Sequence, residues 1–210
     1  MMKYMISGVA VEDWFGLPLP MEGVKSTSLV YKDLQQIKDE PYACFCEENE
    51  NNCHLELYPR PNGEIYICGC GGSDYVSGDR LREGGDCYDP TMIHADPTRV
   101  VAASQSLKQM SSMFNRIPDI TQACMRPCTP DALPVMGVIP GYEGAYISCG
   151  HNCWGILWAP VSGLAMAELI THGDSTTINL SPFSPSRYMN KKLNISRGRK
   201  KGLEAVGEQW

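Results

Sequence analysis

Hydrophobic and polar residues alternate over two short stretches in the first third of the chain, residues 54–60 and 64–69. A period of two is typical of strands that bury one face. Pro61-Asn62-Gly63 lies between them, and Asn-Gly supplies the positive φ angles of a tight turn. The pattern therefore predicts a β-hairpin, and a similar alternation over residues 24–32 predicts a further strand.

Two later segments have the spacing of helices. Asp96 is a predicted N-cap, Pro97 suits the first turn, and apolar residues recur at helical intervals over 100–113. Residues 154–171 are apolar nearly all round, and Gly173 marks their end. Because a helix on a protein surface has a polar face, we expect this second helix to lie beneath another part of the fold.

The remaining pattern predicts strands over 120–125 and 144–150, the second one buried, and loops over 33–52 and 70–90. Residues 13–20, with their glycine and prolines, read as a connector. The order is then strand, hairpin, helix, strand, strand and helix. This order indicates an α/β or an α+β protein.

Composition excludes several classes of protein. A hydrophobic content of 43% excludes a disordered chain, and without a run of about 18 apolar residues no membrane span is expected. The net charge of −6 disfavours nucleic-acid binding, and the basic tail from Asn190 onward reads as a solvated, disordered end. The N-terminus does not resemble a signal peptide, so the expected location is the cytoplasm.

Ten cysteines call for an explanation. Outside a secretory context disulfides are not expected. The pairs Cys44-x-Cys46 and Cys68-x-Cys70 are separated by one residue, whereas paired ligands of structural zinc are usually separated by two to four. The sequence therefore predicts no metal site, and a cysteine-rich metal protein is the weakest of three hypotheses.

The best candidate for chemistry is the corner between the strand 144–150 and the apolar helix. Gly150 and Gly155 flank His151-Asn152-Cys153-Trp154. Glycines allow the backbone to approach a flat ligand, and the first turn of a helix presents unpaired N–H groups to an anion. A tight turn in a packed sheet would have the same residues, and the pattern alone leaves both interpretations open.

Residues 122–170 and 178–188 resemble the C-terminal segment of FAD-dependent oxidoreductases of the D-amino-acid oxidase superfamily, which includes glycine oxidase and sarcosine oxidase. The motifs that agree in order are Arg-Pro-x-Thr-Pro-Asp, Leu-Pro-x-x-Gly, a strand ending in Gly-His, Gly-Ile, Ala-Pro-x-x-Gly and Ala-Glu-Leu-Ile. The Gly-His-Asn-Cys-Trp-Gly form and the hairpin are most similar to a group of eukaryotic members. The similarity extends roughly over residues 9–188.

The resemblance implies FAD as cofactor and a small amine or amino acid as substrate, with hydride transfer to the flavin and no strong protein base. It implies that one turn lies along the flavin. The residues of that turn are Gly150, His151, Asn152, Cys153, Trp154, Gly155 and Ile156. Its backbone N–H groups would meet the flavin edge where negative charge develops. Cys153 occupies the place of an arginine in glycine oxidase, which counts against glycine as the substrate.

The resemblance also implies roles for two residues of the stretch 124–127, which precedes this turn in the chain. Arg126 matches an arginine that grips the substrate carboxylate, and guanidinium binds carboxylate bidentately. Cys124 matches the spacing of a cysteine that is bonded covalently to the flavin in monomeric sarcosine oxidase. The alternatives are an ordinary surface ion pair for Arg126 and a strand cysteine that only neighbours the flavin for Cys124.

The resemblance also implies the domain organisation of an α+β chain. Residues 1–24 would be a remnant of the FAD-binding domain, 25–117 the substrate domain with a mixed or antiparallel sheet, and 118–189 the C-terminal strand and helix of an incomplete, Rossmann-like FAD-binding domain. Residues 190–210 would be the basic tail. The oligomeric state is not predicted.

One family motif is missing from the sequence. The strand–Gly-x-Gly-x-x-Gly–helix unit that binds the FAD pyrophosphate does not occur in residues 1–210. We therefore expect a truncated chain that binds FAD poorly on its own and has unpaired sheet edges. The two main hypotheses are the substrate-side portion of a flavin oxidoreductase and an inactive or interaction protein derived from that family.

Overall fold

The computed structural model describes residues 7–189, and it has the α+β architecture that the sequence predicts. The α-helices are α1 (Ser7–Phe15), α2 (Gly78–Leu81), α3 (Pro97–Met110) and α4 (Gly155–His172). The strands are β1 (Glu22–Tyr31), β2 (Cys44–Phe45), β3 (Glu56–Pro59), β4 (Ile65–Cys68), β5 (Asp74–Val76), β6 (Ile120–Cys128), β7 (Val135–Val138) and β8 (Tyr146–Cys149).

The chain divides into two compact units. Within the described residues, unit 1 comprises residues 7–23, 76–88 and 126–189, and unit 2 comprises Val24–Tyr75 and Asp89–Met125. The functional roles that the resemblance gives to residues 1–24, 25–117 and 118–189 stay predictions. The basic tail from residue 190 lies outside the described residues.

A six-stranded sheet has the order β2-β3-β4-β1-β5, with β6 also pairing with β1. Antiparallel pairing of β3 with β4 and of β4 with β1 sets Leu57, Ile67 and Leu29 side by side. Since alternate residues of a strand face the same side, this row lies on the buried face. Together with residues of α3 it forms the core of unit 2, which includes Leu29, Tyr31, Leu55, Leu57, Ile65, Ile67, Ala103, Leu107 and Phe114.

The predicted hairpin is present, but its turn differs in detail from the expected one. Only Gly63 has a positive φ, of 79°, and Asn62 does not. The Gly63 N–H donates to the Arg60 carbonyl, and the Arg60 N–H donates to the Glu64 carbonyl. This is a three-residue loop with a left-handed glycine rather than a two-residue turn.

Helix α3 begins as the sequence predicts. The Asp96 carboxylate accepts hydrogen bonds from the N–H groups of Thr98, at 2.7 Å, and Arg99, at 3.4 Å, and Pro97 occupies the first turn. Two N–H groups that the helix cannot satisfy internally are thereby paired. The helix buries Ala103 and Leu107 against the sheet.

Arg99 joins two separate loops of unit 2. Its Nε atom donates to the Cys70 carbonyl at 2.7 Å, and its Nη2 atom donates to the Asn52 carbonyl at 2.7 Å and contacts the Cys53 sulfur at 3.4 Å. Because hydrogen bonds from a charged donor are stronger than those between neutral groups, Arg99 stabilises the bends on either side of the hairpin.

Several short elements were not predicted from the sequence. The connector begins in α1, the loop 33–52 contains β2, and the loop 70–90 contains β5 and α2. Strand β7 pairs with β8 and was also missed. Strands β2 and β5 pair with strands that lie elsewhere in the chain, and no local period marks them.

In unit 1, β7 and β8 form an antiparallel pair next to α4. Only Ile147 and Cys149 of β8 are buried, so the expectation of a fully buried strand is wrong. A small core is formed by Met136, Ala165, Met166 and Leu180. Several apolar residues of α4 are exposed within the described chain, among them Ile156, Leu157, Leu164 and Ile170.

The end of α4 is fixed by a carboxylate. Glu168 accepts hydrogen bonds from the N–H groups of Thr176 and Thr177, each at 2.9 Å, and from nearby hydroxyl groups. These bonds, led by the one from Thr177, lower the pKa of Glu168 to about 2. Gly173 ends the helix with a φ of 84°, as predicted.

Candidate functional site

The corner that follows β8 is built on two left-handed residues. Gly150 has a φ of 77° and Asn152 a φ of 51°, and a 3₁₀ turn over Asn152–Trp154 leads directly into α4. A side chain at Gly150 would require a strained backbone, and its Cβ would come within 3.2 Å of the Thr129 methyl group. The corner therefore packs against the residue that directly follows β6.

The first turn of α4 is open. Its backbone N–H groups receive no side-chain cap, and the side chains of Ile156 and Leu157 are 94% and 67% exposed. The rings of Trp154 and Trp158 stack on one another with centroids 5.9 Å apart. N–H groups without a side-chain cap, beside exposed apolar surface, suit a flat heteroaromatic ligand that has an anionic edge.

Gly155, the first residue of α4, has room around it. A Cβ at this position would meet only the Cβ of His151, at 3.7 Å, within the described chain. Packing therefore does not require a glycine there. The space is available to a ligand that approaches the backbone closely.

His151 is engaged in structure rather than directed outward. Its Nε2 atom lies 3.1 Å from the hydroxyl oxygen of Ser162, a buried residue of α4. Burial lowers the pKa of His151 below its usual value. The imidazole joins the corner to the helix through this bond, and the expectation that it is not a general base stays a prediction.

Arg126 and Cys124 stand two residues apart on β6, so their side chains point to the same side of the strand. Cys124 is exposed, whereas Arg126 is half-buried and its Nε atom is fully buried. Arg126 and the 150–156 corner both belong to unit 1. A Cβ at Gly150 would lie 3.2 Å from the Thr129 methyl group, so the corner lies next to the residue that follows the Arg126 strand.

Sequence reasoning missed an ion pair that fixes the loop after β6. Arg187 donates to both carboxylate oxygens of Asp131, at 2.9 and 3.3 Å, and to the Leu133 carbonyl, while the Tyr188 hydroxyl donates to Asp131 at 2.7 Å. Burial alone would raise the pKa of Asp131, but the bonds from Arg187 and Tyr188 outweigh it and lower the pKa to about 2. Asp131 and Arg187 both lie within the segments that carry the family resemblance, but the resemblance implied no role for either of them.

A family model settles the relationship. The model for FAD dependent oxidoreductases, named DAO, matches residues 7–169. The chain belongs to the DAO family. The resemblance predicted from the motifs is thereby confirmed, and so is FAD as the cofactor of the family.

Curated DAO relatives are longer than this chain. The Saccharomyces cerevisiae protein TDA3 is 27% identical over 188 residues, which cover 83% of this chain and 32% of TDA3. Glycine oxidase from Geobacillus kaustophilus is 33% identical over 122 residues, which cover 55% of this chain and 31% of the enzyme. The chain thus spans about a third of the length of these relatives.

Solved structures show the same fold. Glycine oxidase from Geobacillus kaustophilus superposes with a TM-score of 0.56 at 22% identity, covering 84% of this chain and 42% of that one. L-proline dehydrogenase from P. horikoshii gives 0.61 at 21% identity, covering 82% and 41%. These similarities confirm the predicted fold class.

Two further features bear on partners. Within residues 7–189 no three His, Cys, Asp or Glu side chains are grouped to hold a metal ion. Asn152–His172 is long and apolar enough to cross a membrane, as are core helices of many soluble proteins. The expectation that the chain has no membrane span stays a prediction.

Proposed function

We propose that this chain is the substrate-side part of an FAD-dependent enzyme that oxidises an amino acid or a secondary amine. The observation behind the proposal is the corner at Gly150, which is open at Gly155 and packs against the end of the strand that bears Arg126. Membership of the DAO family supplies the reaction class.

In this proposal each residue of the site has a separate role in binding the substrate or the flavin. Arg126 binds the substrate carboxylate and orients the carbon that bears the amine. The N–H groups of Gly155 and Ile156, at the positive end of α4, stabilise negative charge on the flavin edge. When bound, FAD supplies a ring that accepts a hydride from that carbon. His151 holds the corner through Ser162 and moves no proton.

We further propose that the pyrophosphate-binding part of the flavin site is not contained in residues 1–210. Three observations support this. The Gly-x-Gly-x-x-Gly motif does not occur in the sequence, the chain spans about a third of its curated relatives, and apolar side chains of α4 such as Ile156 are exposed.

The second candidate is a protein without redox activity that keeps this part of the fold as an interaction module. The missing dinucleotide motif favours it, because affinity for FAD depends heavily on the pyrophosphate contacts. The two candidates differ in what a substrate does to bound flavin.

The test is anaerobic addition of substrates to the FAD-loaded product of the complete gene. Glycine, sarcosine, L-proline and a panel of L- and D-amino acids are added in turn while the visible spectrum is recorded. We expect at least one of them to bleach the oxidised flavin band. A protein that holds FAD but is bleached by no member of the panel would favour the interaction module.

A further inference from the structure

Cys44 and Cys46 bring two thiols into contact at the edge of the unit 2 sheet. Their sulfur atoms are 4.0 Å apart. Cys44 pairs with Leu57 of β3, and the Cys46 N–H donates to the Leu55 carbonyl at 2.9 Å. The two cysteines are therefore alternate residues of one extended segment, and both side chains lie on the same side of it.

The two thiols differ in accessibility. Cys44 is exposed, whereas Cys46 is half-buried and packs against the core of unit 2. Burial, together with the neighbouring Cys44, raises the pKa of Cys46 above its usual value. Cys44 is therefore the thiol that an oxidant in solution meets first, and Cys46 stands next to it.

The backbone around the pair can adjust. Strand β2 has two residues and is the outermost strand on its side of the sheet. A disulfide requires the sulfur atoms to approach to about 2.05 Å, which rotation of the two side chains and a small shift of an edge segment can supply.

We propose that Cys44 and Cys46 form a redox-active dithiol that hydrogen peroxide closes to a disulfide and a thiol reductant reopens. The Cys44 thiol loses its proton, its sulfur attacks one peroxide oxygen, an S–O bond forms and the O–O bond breaks, and the hydroxide that leaves takes up that proton to give water. The Cys46 thiol then loses its proton, its sulfur attacks the sulfenic acid sulfur, an S–S bond forms and the S–O bond breaks, and the departing hydroxide takes up that proton to give a second water. Two electrons pass from the two sulfurs to one peroxide.

The other cysteines are arranged differently. Five are buried, Cys68 is half-buried and donates to the Glu56 carboxylate, and Cys124 and Cys153 are exposed. At Cys44 and Cys46, by contrast, an exposed thiol has a second sulfur 4.0 Å away. Pairing is therefore expected at Cys44 and Cys46 in preference to other positions.

Peptide mapping of the peroxide-treated chain tests the proposal. The protein is treated with hydrogen peroxide, its remaining thiols are alkylated, and it is cut after Lys38 and Glu47, which releases peptide 39–47. That peptide contains Cys44 and Cys46 and no other cysteine. We expect it to take up no alkyl group and to have lost two hydrogens, and to regain two alkylation sites after treatment with dithiothreitol.

The variants C44S and C46S are the matched controls, since each leaves one thiol. After peroxide treatment, neither variant should yield a peptide 39–47 that takes up no alkyl group and whose alkylation dithiothreitol restores in full. Circular dichroism of each variant establishes that β2 and its surroundings still fold. The proposal is overturned if peptide 39–47 of the folded wild-type protein stays doubly alkylated, or is oxidised to sulfinic acids, under peroxide that oxidises Cys124.

Discussion

Replacement of Arg126 by methionine is expected to lower kcat/KM for an amino-acid substrate by on the order of 100-fold in the complete enzyme. Removing one partner of a buried charge pair costs about 2–5 kcal/mol, and each 1.4 kcal/mol corresponds to a tenfold change. Methionine keeps the length and the packing of the side chain but cannot bind a carboxylate. Steady-state kinetics of the wild type and the variant measure the effect.

Two controls separate carboxylate binding from general damage. A substrate amine that lacks a carboxylate should be oxidised equally well by both proteins, because Arg126 then has nothing to bind. Arg80, which pairs with Asp86 on the surface of unit 1, serves as the matched position, and Arg80→Met should retain full activity. Equal losses for the two kinds of substrate would show that Arg126 has a structural role.

Replacement of Gly69 by alanine is expected to destabilise unit 2 by about 3–5 kcal/mol. Gly69 has a φ of 70°, which costs an L-residue about 1–2 kcal/mol. A Cβ at this position would also overlap the backbone carbonyl oxygen of His54, whose own N–H donates to the Gly69 carbonyl at 3.0 Å. Because both partners are backbone atoms, the overlap is relieved only by moving the strands.

The matched control is Gly63→Ala, at the turn of the same hairpin. Its φ of 79° is equally unfavourable, but a Cβ there would meet its nearest neighbour, the end of the Gln35 side chain, only at 3.4 Å. The free energy of unfolding is therefore expected to fall by about 1–2 kcal/mol, which is the cost of the positive φ alone. Urea denaturation followed by circular dichroism compares the two variants, and equal midpoints would refute the predicted overlap at Gly69.

Local signals predicted the longer elements of the fold. The cap at Asp96, the stop at Gly173 and the alternation on either side of Gly63 each depend on a few adjacent residues, and each is present. Strand β2 was missed because its two residues become a strand only by pairing with β3, which lies eleven residues further along the chain. Such pairing leaves no period in the sequence.

The same distinction applies to the candidate site. The glycine corner could be predicted because the left-handed bend between the strand and the helix depends only on adjacent residues, Gly150 to Gly155. The bond between Arg187 and Asp131 joins residues that are 56 positions apart, and no local pattern announces it. An apolar helix is expected to lie beneath another part of the fold, but its sequence does not reveal what covers it, and Ile156 is exposed within the described residues.

The most direct test of the account is an FAD titration of the product of the complete gene, followed by its visible spectrum. We compare the wild type with Gly155→Val, which fills the space at the start of α4, and with Gly163→Val, a glycine of the same helix that also has no close neighbour. We predict that the wild type and Gly163→Val bind FAD alike and that Gly155→Val binds it at least about tenfold more weakly, a loss of about 1.4 kcal/mol. Equal affinity of all three proteins would contradict the placement of the flavin at this corner.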